Sequence, residues 1–519
     1  MSTSRHGKPG GFKRILRNRR RRIAHRLRER VWAAQDRPMF SAGNIHYELA
    51  ERVRGLGTGG IGALHILARQ SGLIDAIDRR LHLLKVHLPY HESDHVLNIA
   101  YNALCGGTCL EDLELRRNDE AYLDALGAQR IPDPTTAGDF CRRFAVSDIE
   151  QLQDAINAVR VGVWKRQPAA FFAQATIDAD GTLAPTDGEC KEGMGLAYDG
   201  TWGYHPLVVS LANTQEPLFL SNRSGNRPSH EGAAAYIDRA IGLCRGAGFQ
   251  RVRLRGDTDF SQTQYLDGWD DQCGVTFVFG LNAMRNLIER ANELPGSAWT
   301  KLARPAKYEV TTQPRERPEN VKERIVVEKG YENIKLLGEQ VAEFAYRPTA
   351  CARAYRVIAL RKQLSVERGQ AVLFEDYRYF FYITNDCAAT PQELVFEANG
   401  RCNQENLIAQ LKSGVQALGM PVDSLLSNWA YLVMASLAWT LKAWFALQLP
   451  ERGRWAEKHR REKRGVLTME FKRFVNAFIR VPCQIVRTSR RIVYRLLAWN
   501  PWQEVFARGL AALGRPLRC

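Results

Sequence analysis

The chain has 519 residues, 45% apolar and 25% charged, with a net charge of +17. That length accommodates roughly two to four domains with a sizeable core, and the balance is that of a globular protein rather than a disordered or fibrous one. The excess of cations points to a polyanionic partner, nucleic acid or an anionic membrane, and the eleven scattered cysteines, with no Cys-x-x-Cys pair, exclude a disulfide scaffold and a zinc finger and fit reduced thiols in a cytoplasmic protein.

Residues 1–60 read as a basic arm and linker. The first 30 residues hold twelve Lys and Arg, Arg19, Arg20, Arg21 and Arg22 among them, against one acid, Glu29, which leaves only +6 of the charge to the rest of the chain. Such an arm either becomes helical on DNA or stays disordered and acts through counterion release. It lacks the apolar stretch of a signal peptide. Gly57-Thr-Gly59-Gly-Ile-Gly62 matches G-x-G-x-x-G, but no strand precedes it, so no dinucleotide site is expected.

From 61 to 168 the pattern is helical, with Asp133-Pro134-Thr135-Thr136 starting one helix, and suits a DNA-binding or dimerisation region. At about 170 the period changes. Residues 171–180 form an apolar run ending in acids, a buried strand, and 205–213 and 217–224 read as two more. An amphipathic helix over 230–248, a strand over 252–257, a helix over Gln262–Cys273 and a strand over 275–281 follow. The order β-β-β-α-β-α-β over 169–281 is that of the first part of a ribonuclease-H-like α/β core. Residues 282–390 read as a β-rich insertion, with strands over 306–313, 323–330, 354–362, 371–375 and 377–385. The core resumes over 391–450. Its most apolar run, Trp429–Leu441, is too short for a bilayer span and reads as a buried helix. Residues 451–519 read as a basic helical region.

Arg401 to Lys412 reads as one helix with Leu407, Ile408 and Leu411 as its apolar positions. At about 100° per residue, Glu405 lies ~40° and Lys412 ~20° from Arg401, so one face carries a carboxylate between two cations. By itself this is a solvated face with an ion pair. Upstream, the first strand ends at Asp178-Ala-Asp180-Gly-Thr182 and the fourth at Arg255-Gly-Asp257-Thr-Asp259. In such a fold these strand ends converge with the helix carrying Glu405. Three carboxylates meeting this way are hard ligands for Mg²⁺ or Mn²⁺, two ions of which support in-line phosphoryl transfer. Arg401 and Lys412 then hold the phosphate of the scissile strand, and Gly181 and Gly256 let the backbone pass close to metal and DNA. Asp178, two residues from Asp180, is the rival for the first ligand. Asp259 reads as a cap, Asp187 and Glu189 as loop acids, and Ser229 as the N-cap of the following helix.

These stretches together resemble a known family. Ile177-Asp-Ala-Asp180-Gly-Thr, Gly203-Tyr-His-Pro-Leu207, Arg255-Gly-Asp257 and Asn399-Gly-Arg401-x3-Glu405-Asn-x5-Lys412 are similar to the bacterial insertion-sequence DDE transposases with a group-1 DDE domain, in the insertion-sequence family numbered thirteen-eighty. Asp112 to Asp119, Pro134-Thr135-Thr136 and Arg487 to Arg491 extend the resemblance over about 60–500. It implies catalytic, metal-binding Asp180, Asp257 and Glu405, with Arg255, Arg401, Lys412 and the arm arginines on DNA. It also implies cleavage at terminal inverted repeats, strand transfer to target DNA, self-association in the active complex, a cytoplasmic, nucleoid-associated setting and no membrane partner. A wider related group has Tyr three residues before the Arg; here that position is Ala398, so no role of that Tyr carries over. A ribonuclease-H-like nuclease or resolvase, or a catalytically silent DNA-binding relative, are the alternatives.

Overall fold

The computed structural model describes residues 11–26, 45–47, 53–87, 89–186, 188–304, 321–368, 371–488 and 491–517. Residues 11–26 of the arm form helix α1 (Gly11–Arg26). It docks on the rest of the chain: Leu16 is buried and Arg19 donates to the carbonyls of Leu496 (3.1 Å) and Ala498 (3.0 Å) near the other end of the chain. The Gly-rich run explains itself by packing: a Cβ on Gly60 would stand 1.7 Å from the Phe478 carbonyl oxygen, and one on Gly59 2.6 Å from that of Val481.

Seven helices follow between Ile61 and Trp164. Their starts are written locally. Asp119 accepts from the amides of Ala121 and Tyr122, and Asp133, ahead of Pro134 in the first turn, accepts from Thr136. The last of them, α2 (Val146–Trp164), reaches the sheet.

Nine strands make that sheet. Five come first: β1 (Ala175–Gly181), β2 (Leu207–Leu211), β3 (Glu216–Ser221), β4 (Val252–Gly256) and β5 (Val275–Leu281), with the helix α3 (Ala233–Ala247) crossing between β3 and β4. Then come β6 (Thr300–Lys301), β7 (Glu332–Tyr346), β8 (Tyr355–Arg368) and β9 (Ala371–Thr384). The spatial order is β6-β7-β8-β9-β5-β4-β1-β2-β3. β1, β4 and β5 are parallel, while β2 and β3 add antiparallel on the β1 side. β2, β3 and β4 are buried along their whole length; β2 and most of β3 read as apolar runs, while β4 carries buried Arg253 and Arg255 between its apolar residues. β9 pairs with β5 from Phe381↔Leu281 to Thr384↔Val278, so the insertion continues the central sheet.

Beyond the sheet lie α4 (Pro391–Asn399), α5 (Cys402–Ala409), α6 (Leu425–Leu447) and α7 (Ala456–Leu467). α6 is 23 residues long, longer than its apolar run suggested, and long and apolar enough to cross a membrane; yet its apolar window is 100% buried among α2, β3, α7 and the N-terminal helices. One contiguous apolar core runs from Leu56 to Leu513 through it.

Several expectations fail locally. Residues 323–330 lie mostly in the helix Val321–Glu328, where Arg324 pairs with Glu328 one turn on; the β-branched run there misled. The runs 371–375 and 377–385 form the single strand β9. β7 was not foreseen, because its outer half is exposed on both sides and shows no alternation. Only the 3-10 turn Thr263–Tyr265 and the short helix Leu266–Asp270 occupy 262–273. The described residues of 487–499 are not helical: Cys483–Thr488 (β10) and Arg491–Leu496 (β11) pair antiparallel, with Tyr494 and Leu496 turned inward at period two. Residues 306–313 and Asp187 lie outside the described residues.

Candidate active site

β1 carries Asp178 and Asp180, and the two are treated differently. Asp178 is buried, and its oxygens accept from Arg255 Nε at 2.7 Å and Nη2 at 2.8 Å. Arg255, expected on a phosphate, is itself buried; its Nη1 donates to the Glu397 carbonyl at the end of α4 (3.1 Å). It faces the protein interior because β4 presents it across β1, where Asp178 pairs with it in register. Gly400 passes so near that a Cβ would lie 2.6 Å from Arg255 Nη1. Asp178 and Arg255 thus form a bidentate bolt between β1, β4 and α4.

Asp180 sits beyond the bolt. Its Oδ2 is 2.9 Å from Arg401 Nη1, while Asp257 Oδ2 is 3.8 Å from the same nitrogen and Glu405 Oε1 is 3.4 Å from Nη2. The three carboxylates foreseen from three separate elements therefore gather around one guanidinium. Burial drives the Asp180 carboxyl up to about 7, Arg401 opposing and Asp257 adding to the rise. Asp257 is also raised, by burial first, with Arg401 again opposing. On Arg401, burial works against the charge and the three acids outweigh it, so its pKa is raised. Asp257 Oδ1 accepts from the Asp259 amide (3.0 Å), so the capping role expected of Asp259 falls to Asp257, whose free oxygen faces the cluster.

The helix expected from Arg401 to Lys412 is broken. α5 ends at Ala409 and a π turn, Gln410–Gly414, takes over, so an even 100° per residue does not hold as far as Lys412. Lys412 is exposed and pairs with no carboxylate among the described residues; partial burial alone lowers its pKa. Arg20, Arg21 and Arg22 are exposed on α1, while Arg19 is spent on anchoring.

Sequence reasoning missed the residues that place α5. Gln404 Nε2 donates to the Val208 carbonyl (3.0 Å) and its Oε1 accepts from Ser210 Oγ, which fixes α5 to β2. Arg253 reaches Asp386 and Glu397, holding α4. His205, in the Gly203–Leu207 stretch, is buried, with Nδ1 2.8 Å from the Arg227 carbonyl. A Cβ on Gly181 would lie 2.9 Å from His205 Nε2, and one on Gly256 2.6 Å from Phe260, so both glycines allow close packing against neighbouring protein. The helix after Ser229 starts at Ala233 behind Gly232, whose φ of 74° suits glycine. A polar residue amid an apolar helix face, as Gln404 is, was the available signal.

Next to the cluster opens a cavity of about 810 Å³, with Asp257, Arg401, Tyr377, Arg378, Tyr379 and Tyr382 in its walls. A fold that gathers acids at strand ends beside such a cavity suits chemistry on a polyanion. The chain belongs to the DDE transposases. Its family is the group 1 transposase DDE domain, whose model matches residues 57–517. A solved piggyBac transposase synaptic complex with hairpin DNA is similar over 81% of this chain and 82% of that one, at 10% identity and a TM-score of 0.37. No protein of curated function matches.

Proposed function

We propose that this transposase cuts the terminal inverted repeats of its own bacterial insertion sequence and joins the freed ends to target DNA, with Asp180, Asp257 and Glu405 as its acidic triad. The observation that carries this reading is the gathering of these three carboxylates from β1, the end of β4 and α5 around Arg401. The strand order β3-β2-β1-β4-β5, with β1, β4 and β5 parallel, supports a ribonuclease-H-like core.

The donor types suit a divalent cation, three hard carboxylates around a guanidinium that stands in for one, although among the described residues no three such side chains stand close enough to hold an ion as they are placed. Two Mg²⁺ or Mn²⁺ ions on these oxygens would supply Lewis acidity at the scissile phosphate. The protein's own share is positioning. The Asp178–Arg255 bolt keeps Asp180 at the open end of β1, the Asp259 amide orients Asp257, and Gln404 holds α5 so that Glu405 stands at the rim. Exposed Lys412 and the outward Arg20, Arg21 and Arg22 are suited to the DNA backbone. Two ends cut together call for at least two subunits, and a chromosomal DNA substrate suits a nucleoid-associated, cytoplasmic setting.

The test is incubation of purified protein with DNA carrying the element's ends, Mg²⁺ and a target plasmid. Nicked ends and joined products are expected, with Asp257→Asn and Glu405→Gln reducing both by about 10³-fold or more. Cutting without joining would favour a nuclease, and wild-type cutting by the Glu405→Gln protein would remove Glu405 from the triad.

A further inference from the structure

Arg401 was expected to reach outward to a phosphate, and it reaches inward instead. Its two terminal nitrogens engage Asp180 at 2.9 Å, Glu405 at 3.4 Å and Asp257 at 3.8 Å. Among the described residues no three Asp, Glu, His or Cys side chains stand close enough to hold one metal ion. The guanidinium accounts for that spacing at this cluster, since it lies between the very oxygens that a metal would share. A divalent cation and Arg401 therefore compete for the same acids.

Arg401 also has somewhere else to go. It lines the cavity of about 810 Å³ together with Asp257 and Cys402. Its backbone is held on either side, its N–H donating to the Ala398 carbonyl (3.2 Å) and its carbonyl accepting from the Gln404 amide (2.7 Å), so a move into the cavity needs only the side chain to turn. A guanidinium driven off three carboxylates loses its counter-charges, and the planar fork that fitted them also fits the oxygens of a phosphate.

We propose that Arg401 is an internal counter-ion of Asp180, Asp257 and Glu405, and that a divalent metal displaces it into the adjoining cavity, where it takes a DNA phosphate. This rests on the reading of those acids as a metal site. Without metal, Arg401 offsets the repulsion among three acids and keeps them gathered. With metal, the same side chain becomes a DNA contact. Metal binding and DNA-end binding then reinforce each other through one residue, and by linkage each raises the affinity of the other by the same factor.

The experiment uses the full-length protein in two assays without turnover. Free Mn²⁺ is followed by electron paramagnetic resonance in the absence of DNA for the wild type, Arg401→Gln, Arg401→Lys, Asp257→Asn and Glu405→Gln. Anisotropy of a labelled duplex of the element's end is then read with Ca²⁺ and with chelator. Arg401→Gln should bind Mn²⁺ about tenfold more tightly than wild type, with Arg401→Lys between, while both acid variants bind more weakly. Ca²⁺ should tighten the wild-type DNA complex about tenfold and leave the Arg401→Gln complex unchanged. If the acid variants lose Mn²⁺ but Arg401→Gln and Arg401→Lys bind it no better than wild type, Arg401 is a fixed strut and the inference is overturned. If the acid variants bind Mn²⁺ like wild type, the metal site itself falls, and the inference with it.

Discussion

Glu216 and Asp180 lie in the same sheet and each meets an arginine, but their surroundings send them opposite ways. Glu216 is fully buried and accepts from Arg160 Nε (3.0 Å), Trp164 Nε1 (3.0 Å), Trp444 Nε1 (2.8 Å) and Thr214 Oγ1 (2.6 Å). Four donors from α2, α6 and the strand's own turn saturate one carboxylate, which knots the N-terminal helices to β3 and the core helix. At the other cluster a single guanidinium is divided among three carboxylates, one of them on Glu405, whose side chain is 59% exposed. A saturated charge holds structure together. An undersupplied one leaves carboxylates with less than their full complement of donors.

The contrast can be broken at the sealed cluster first. Arg160→Met leaves Glu216 charged in the core with only neutral donors and should cost about 3–5 kcal/mol, read as a lower urea midpoint; a loss under ~1 kcal/mol would show that Glu216 does not depend on its arginine. Next, Asp178→Asn and Asp180→Asn, two residues apart, should move stability in opposite directions in the presence of chelator. Asp178→Asn unpairs buried Arg255 and should destabilise by roughly 2–4 kcal/mol. Asp180 is raised in the folded state, to about 7, so the folded protein holds a proton that the unfolded chain releases near pH 4. The Asp180 contribution to stability should therefore fall as pH rises from about 4 to 7, against the opposite contribution of buried His65 and His95, whose pKa burial lowers to about 4. Asp180→Asn should remove that fall, so that its stability rises relative to wild type across this range and gains on the order of 1–3 kcal/mol at pH 8. An unchanged slope would mean that Asp180 is solvated like an ordinary carboxylate. The smallest effect should come from Lys442. It is buried, donates to the Leu467 carbonyl (2.8 Å) and lies over the Trp439 ring (3.5 Å) with no carboxylate beside it among the described residues, and burial holds its pKa well below the usual lysine range. Lys442→Met should change the thermal midpoint little or raise it, within ~1 kcal/mol.

Much of the molecule was legible because its signals are local. The apolar strand ending at Asp180, the buried run of α6 and the Asp133-Pro134 start each depend on residues a few positions apart. The misreadings are also of one kind. Residues 323–330 and 487–499 contain β-branched or basic runs compatible with either period, and only the neighbours chose between helix and strand. The π turn that ends α5 leaves no mark in the alternation of apolar residues.

The sequence by itself determined which acids are available, Asp178, Asp180, Asp257 and Glu405, and the order in which strands and helices deliver them, because both follow from periodicity and from the residues at element ends. Only the tertiary structure decided their surroundings. Asp178 is sealed by an arginine 77 positions away, and Asp180 is left to share one 221 positions away. Whether Arg255 and Arg401 turn inward or outward depends on the charges that distant strands bring beside them, and in a low-dielectric interior those charges outweigh any preference written within a single helix or strand.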